Sequence, residues 1–91
     1  YSTTSVKFPC SPSVAREIVR TMTQRYSDKR LLTIDGLRIN YNDGWVLIRP
    51  SNTEPVLRLT VEALSSERMN TRIKHFETEL KELLEQFNRT S

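Results

Sequence analysis

The sequence predicts an α+β domain, an antiparallel sheet with two helices packed on one face, in the order β-α-β-β-β-β-α. Three patterns carry that prediction. Apolar residues recur at helical spacing near both ends of the chain. Between them, apolar and polar residues alternate as in half-buried strands. An Asn-Asp-Gly run joins two of these alternating segments as a hairpin turn.

Val6-Lys7-Phe8 alternates briefly before Pro9 and reads as a short edge strand. Ser11-Pro12 has the form of a helix start, with Ser as N-cap and Pro at the first helical position. Val14, Ala15, Ile18, Val19, Met22 and Tyr26 then form one stripe, which predicts a helix over residues 12–26. After a polar connector, Leu31–Ile34 reads as a strand and Asp35-Gly36 as a turn. Leu37, Ile39 and Tyr41 alternate with Arg38 and Asn40. Asn42-Asp43-Gly44 supplies a tight turn, since Asp-Gly tolerates positive φ. Trp45–Ile48 returns as a strand, a loop spans residues 49–55, and Val56–Ala63 forms the last strand. In it Leu57, Leu59 and Val61 face one way, and Arg58, Thr60 and Glu62 the other. Ser65 or Ser66 caps a final helix, with Glu67 in its first turn where the dipole favours an anion. Met69, Ile73, Phe76, Leu80, Leu83 and Phe87 keep a 4-3-4-3-4 rhythm, widened by Leu84, to about residue 88. That stripe covers only about three heptads, so packing on the sheet is preferred to a coiled coil.

Ninety-one residues make one domain, 1–91, with no room for a deep interdomain cleft. Fourteen Lys and Arg against eleven Asp and Glu give a net charge of +3. That charge is small and dispersed, and the outward strand positions lack the aromatics of an RNA-binding sheet, so no nucleic acid is expected. One cysteine, Cys10, cannot form an internal disulfide, and with one histidine, His75, the chain cannot build a Cys-rich zinc site. Neither catalytic residues nor metal ligands are expected, and a reducing cytoplasm is the easier location. No apolar run approaches the ~18 residues that span a bilayer. The first residues lack the basic and apolar regions of a signal peptide, and the missing initiator Met reads as a piece of a longer protein. Cys10 is expected to be only a small residue, His75 to sit exposed or half-buried on its helix, and Tyr41 and Trp45 to pack into the core.

The loop at 49–55 is the segment whose residues folding alone explains least. Pro50 and Pro55 bracket it, and between them lie Ser51, Asn52 and Thr53, with Arg49 leading in. A guanidinium, two hydroxyls, an amide and the backbone N–H groups of residues 51–53 can line a nest for an anion. Arg58, outward on the next strand, can add positive charge. A plain loop remains the competing reading, with Arg49 paired to Glu54 or to a helix carboxylate.

Asp35-Gly36-Leu37-Arg38, Gly44-Trp45-Val46-Leu47-Ile48-Arg49-Pro50-Ser51-Asn52-Thr53-Glu54-Pro55, Leu57-Arg58-Leu59 and Glu62-Ala63 together resemble the C-terminal domain of the α-D-phosphohexomutases, the phosphomannomutase/phosphoglucomutase enzymes. The resemblance implies a TATA-box-binding-protein-like fold. It implies that Arg49, Ser51, Asn52 and Thr53 bind the phosphate of a hexose phosphate that is not being transferred. It further implies a parent enzyme that interconverts hexose 1-phosphate and hexose 6-phosphate through a phosphoserine and a bisphosphorylated sugar. The phosphoserine loop, the Asp-rich loop for Mg²⁺ and the sugar-reading loop of that family are missing here, so the segment alone should not turn over. No cofactor is implied for this domain, and the partners implied are the sugar phosphate and the other domains of the parent. Relatives acting on glucosamine phosphate usually carry Ser-Gly-Thr here, so Ser51-Asn52-Thr53 tilts the substrate toward mannose or glucose phosphates. The alternative is a non-catalytic module for RNA, or for a protein partner through the last helix.

Overall fold

A computed structural model describes residues 1–27, 30–32, 36–51 and 53–90. Its elements are β1 (Ser2–Pro9), α1 (Pro12–Arg25), β2 (Arg30–Leu32), β3 (Leu37–Tyr41), β4 (Gly44–Pro50), β5 (Val56–Ala63) and α2 (Ser66–Thr90). The expected β-α-β-β-β-β-α order is observed. The strands form one antiparallel sheet in the order β1-β5-β4-β3-β2, so α1 carries the chain from one edge to the other. Residues 33–35, read from sequence as the end of a strand and part of a turn, lie outside the described residues.

Alternation decides which face is buried. Leu37 and Ile39 of β3, Val46 and Ile48 of β4, and Leu57, Leu59, Val61 and Ala63 of β5 are all fully enclosed. Val14, Ala15, Ile18 and Met22 of α1 and Ile73, Phe76, Leu80 and Leu83 of α2 cover them. These are the two stripes read from sequence; Val19, Tyr26, Met69, Leu84 and Phe87 pack at their margins. Every buried side chain among the described residues is apolar. Both caps are formed as expected. Ser11 is extended and its Oγ accepts the Val14 N–H at 3.3 Å, with Pro12 opening α1. At α2 the Ser65 Oγ accepts from the Arg68 N–H, also at 3.3 Å.

Three expectations are corrected. β1 runs well beyond Val6–Phe8, pairing with β5 from Ser2↔Ala63 to Pro9↔Val56. Its outer half is held by polar cross-strand pairs, Ser5 with Thr60 at 2.9 Å and Thr3 with Glu62 at 3.1 Å, which leave no apolar alternation to read. Arg49 and Pro50 belong to β4, opposite Arg58 and Leu57, and not to the loop. Pro50 is tolerated there because, among the described residues, β3 pairs with β4 no further than Leu37↔Ile48, so no described ladder bond needs a Pro50 donor. Trp45 is not a core residue. It shares the open face with Glu62, to which its Nε1 donates at 3.0 Å, and the Arg38 guanidinium lies 4.9 Å from its ring centre.

In the β3–β4 hairpin, Tyr41 pairs with Gly44 across Asn42 and Asp43. Only Gly44 has positive φ, +155°, and a Cβ there would press into the Glu62 carbonyl oxygen. The hairpin is clasped to α2 by Asp43, whose Oδ1 accepts from Arg72 at 2.9 Å and Oδ2 from Arg68 at 3.3 Å. Arg72 also stacks 4.2 Å above the Tyr41 ring. Across the other end of the helix pair, Tyr26 donates to Glu79 at 2.6 Å and Arg25 bridges the same carboxylate at 2.8 Å. Among the described residues no helix is long and apolar enough to cross a membrane.

The Asp43 clasp sets a pH dependence. Its hydrogen bond from Arg72, with the charge of that arginine and a further hydrogen bond from Arg68, holds the carboxyl below the ordinary carboxylate range. A carboxyl with a lowered folded pKa contributes stability above its unfolded pKa, about 4, and loses it as pH falls through the folded value. Asp43→Asn should therefore be less stable than the parent chain at pH 7, with the gap closing below about pH 4. Urea midpoints from pH 7 to pH 2 measure this; a gap independent of pH would show that the charge is not what Asp43 contributes.

Candidate functional site

The open face of the sheet is polar, and register arranges it in rows. Thr3, Glu62, Trp45 and Asn40 form one row, and Ser5, Thr60, Leu47 and Arg38 the next. At the end of the sheet beside residues 51–55, Lys7, Arg58 and Arg49 lie directly opposite one another on β1, β5 and β4. Like charges placed opposite across strands repel. Among the described residues only Lys7 of the three has a carboxylate partner, Glu54, at 3.1 Å.

The loop turns over this cationic row. Ser51 N–H donates to the Val56 carbonyl at 3.0 Å, and Cys10 N–H donates to the Pro55 carbonyl at 2.9 Å, so both the strand pair and β1 hold it. Ser51 Oγ accepts from the N–H groups of Thr53 and Glu54, each at 3.3 Å, and lies 3.4 Å from Thr53 Oγ1. A hydroxyl that accepts two N–H bonds keeps its own proton to donate. Arg49, Ser51, Thr53 and Arg58 line a concavity of about 260 Å³. Four of the five candidate residues thus converge; the fifth, Asn52, lies outside the described residues.

One part of the expected nest is corrected. The backbone N–H of Ser51 is spent inside the fold on Val56, and that of Thr53 is turned toward Ser51 Oγ. Among the described residues, the donors left to face the concavity are side chains, two guanidinium groups and two hydroxyls. Arg49 does not pair with Glu54, which is taken by Lys7. Arg58, the secondary candidate, stands in the concavity beside Arg49. Lys7 was missed because nothing in its local sequence says that β1 pairs with β5.

A larger concavity of about 720 Å³ lies by the hairpin and the start of α2, around Tyr41, Asp43, Arg68 and Arg72. Its two arginines already bridge Asp43 and a second carboxylate, Glu67, lines the same concavity, so size does not make it the better anion site. Burial raises the Cys10 thiol above its ordinary range, leaving it a poor nucleophile. His75 is exposed and touches Tyr26 Oη at 3.2 Å. Among the described residues no three His, Cys, Asp or Glu side chains gather as a metal set.

Residues 13–80 match the family model described as phosphoglucomutase/phosphomannomutase, C-terminal domain. The chain belongs to that family. The phosphohexomutase resemblance, expected over essentially the whole chain and most specific over residues 35–63, is matched over residues 13–80. Among its relatives, a probable phosphoglucosamine mutase of Pyrococcus horikoshii is 35% identical over 88 residues, covering 92% of this chain and 20% of that protein. One from Pyrococcus abyssi is 36% identical over the same coverage. A third, from Methanopyrus kandleri, is 49% identical over 57 residues, 63% of this chain and 12% of that protein. The chain thus spans about a fifth of the length of the Pyrococcus relatives.

In this phosphohexomutase domain, the Ser51 hydroxyl organises the loop as an acceptor. Ser51→Ala removes the only side-chain acceptor shown for the Thr53 and Glu54 amides. Their hydrogen exchange should quicken by about three- to tenfold, as expected for one lost hydrogen bond, while Leu57 and Leu59 in β5 stay protected. Unchanged exchange at Thr53 would show that the loop holds its shape by other means.

Proposed function

We propose that this chain is the substrate-phosphate-binding domain of a phosphohexomutase. In this reading the parent enzyme interconverts hexose 1-phosphate and hexose 6-phosphate through a phosphoserine on another domain. The observation that carries it is the convergence of Arg49, Ser51, Thr53 and Arg58 on one small concavity, where neither arginine has a carboxylate partner among the described residues.

The physical role follows from the donor set. Two guanidinium groups supply charge and forked N–H donors for the oxygens of a phosphate dianion. The Ser51 and Thr53 hydroxyls supply two shorter donors. Asn52 belongs to the same motif and completes the proposed set. Such a cluster reads charge and shape and does not read the sugar hydroxyls. This suits a bisphosphorylated intermediate whose two ends must each occupy the anchor in turn. Holding the non-reacting phosphate positions the reacting one, and that binding energy is recovered in the transition state. Closure of this domain over the ligand would exclude water and limit hydrolysis. In this reading Mg²⁺ would be held by another domain of the parent enzyme and would stabilise the transferring phosphoryl group there.

The sugar is assigned as a hexose, with Asn52 favouring mannose or glucose; the name of the archaeal relatives favours glucosamine instead. Relative kcat/KM for mannose, glucose and glucosamine phosphates separates these. In the full-length enzyme, Arg49→Ala should lower kcat/KM by about 10- to 100-fold, the effect of losing a charge-assisted hydrogen bond, with the domain still folded. In an amide NMR titration, glucose 1-phosphate should shift residues 49, 51 and 53 while glucose does not. Unchanged kinetics in Arg49→Ala, or shifts confined to α2, would overturn the reading.

A further inference from the structure

The row of cations contains one residue that the phosphate reading leaves without a role, Lys7. We propose that Lys7 is a positioning residue that holds the Glu54 carboxylate away from the anion pocket, an inference that rests on the phosphate-binding reading. Glu54 follows Thr53 directly, and Thr53 lines the concavity. A carboxylate on that loop, tethered beside Arg49 and Arg58, competes with substrate at an effective concentration on the order of millimolar. Lys7 Nζ binds Glu54 Oε1 at 3.1 Å, with both side chains about half exposed. The bridge neutralises Glu54 and turns it toward β1.

β1 is suited to this task. Its Lys7 is fixed opposite Arg58 by register, and three residues on, the Cys10 N–H holds the Pro55 carbonyl at 2.9 Å. The loop is therefore gripped on both sides of Glu54: by Cys10 at Pro55, and by the Glu54 N–H on Ser51 Oγ at 3.3 Å. Within that grip the Glu54 side chain chooses between cations, and Lys7 is the one outside the pocket lining.

Sign epistasis tests the inference in the full-length enzyme. Lys7→Ala should raise KM for the hexose 1-phosphate by about two- to fivefold, the scale of an exposed ion pair, and change kcat less. Adding Glu54→Gln to Lys7→Ala should return KM to the parent value, because the competing carboxylate is then gone. If Lys7→Ala leaves KM unchanged, Lys7 does not position Glu54 and the inference fails. If the double variant keeps the raised KM, Lys7 acts on the ligand or on folding, and the inference fails equally. Arg49→Ala in the same assay separates the two levels: no effect there overturns the phosphate reading itself.

Discussion

The pairing of β4 with β5 is the constraint on which both faces of the sheet depend. It sets Val46 against Val61 and Ile48 against Leu59 on the covered face. By the same register it sets Arg49 against Arg58 on the open face. Side chains alternate with period two, so a slip of one residue would send the arginines into the core and Ile48 and Leu59 into water. The hydrophobic stripe therefore specifies the position of the arginines more strongly than any contact the arginines make. Gly44 reinforces that register at the far end, because only a residue without Cβ fits against the Glu62 carbonyl.

Covering one face with both helices has a consequence for the other. α1 and α2 enclose the apolar side, and several of their charged groups are tied among themselves or to the hairpin. Asp43 is clasped by Arg68 and Arg72, and Glu79 by Arg25 and Tyr26. Burial, with the adjacent Glu79 carboxylate, pushes the Tyr26 hydroxyl far up, so it stays protonated and remains a donor to Glu79. The open face has no helix to satisfy its polar groups and satisfies them laterally, Ser5 on Thr60, Thr3 and Trp45 on Glu62, and Arg38 on Asn40. Among the described residues, the last row, beside the loop, holds two guanidinium groups with neither a carboxylate nor an amide on them.

What was legible in the sequence follows this division. The two stripes and the alternation of β3 and β5 are statements about burial, and burial is written locally as periodicity. The β5 bounds, Ser11 as cap and the α1 core residues could all be read directly for that reason. β1 was shortened because Thr3 and Ser5 are held by cross-strand hydrogen bonds, which have no local period. The outward turn of Trp45 follows from its position beside Val46 in β4, but its bulk argued for the core and masked that phase. In the site, Arg49 and Ser51 were visible as residue types in a loop. That the Ser51 amide is used on Val56, and that Lys7 stands in the same row, depend on pairings between distant segments that no local pattern encodes.

The net charge of +3 says little by itself; its placement says more. Several carboxylates are engaged with cations along the helices, as in Glu17 with Arg20, Glu77 with Lys81 and Glu85 with Arg89. Glu62, on the open face, is held two rows away by Thr3 and Trp45. Glu54, which follows the pocket-lining Thr53, pairs with Lys7. Opposed arginines cost the free domain some stability. The apolar face fixes the strand positions from which both side chains project, so the backbone cannot shift to separate them. In the proposed reading, an entering dianion would offset that repulsion without any rearrangement of the strands. In the proposed reading, a register that sets Arg49 opposite Arg58 on one concavity would meet part of the ordering cost of binding a dianion during folding.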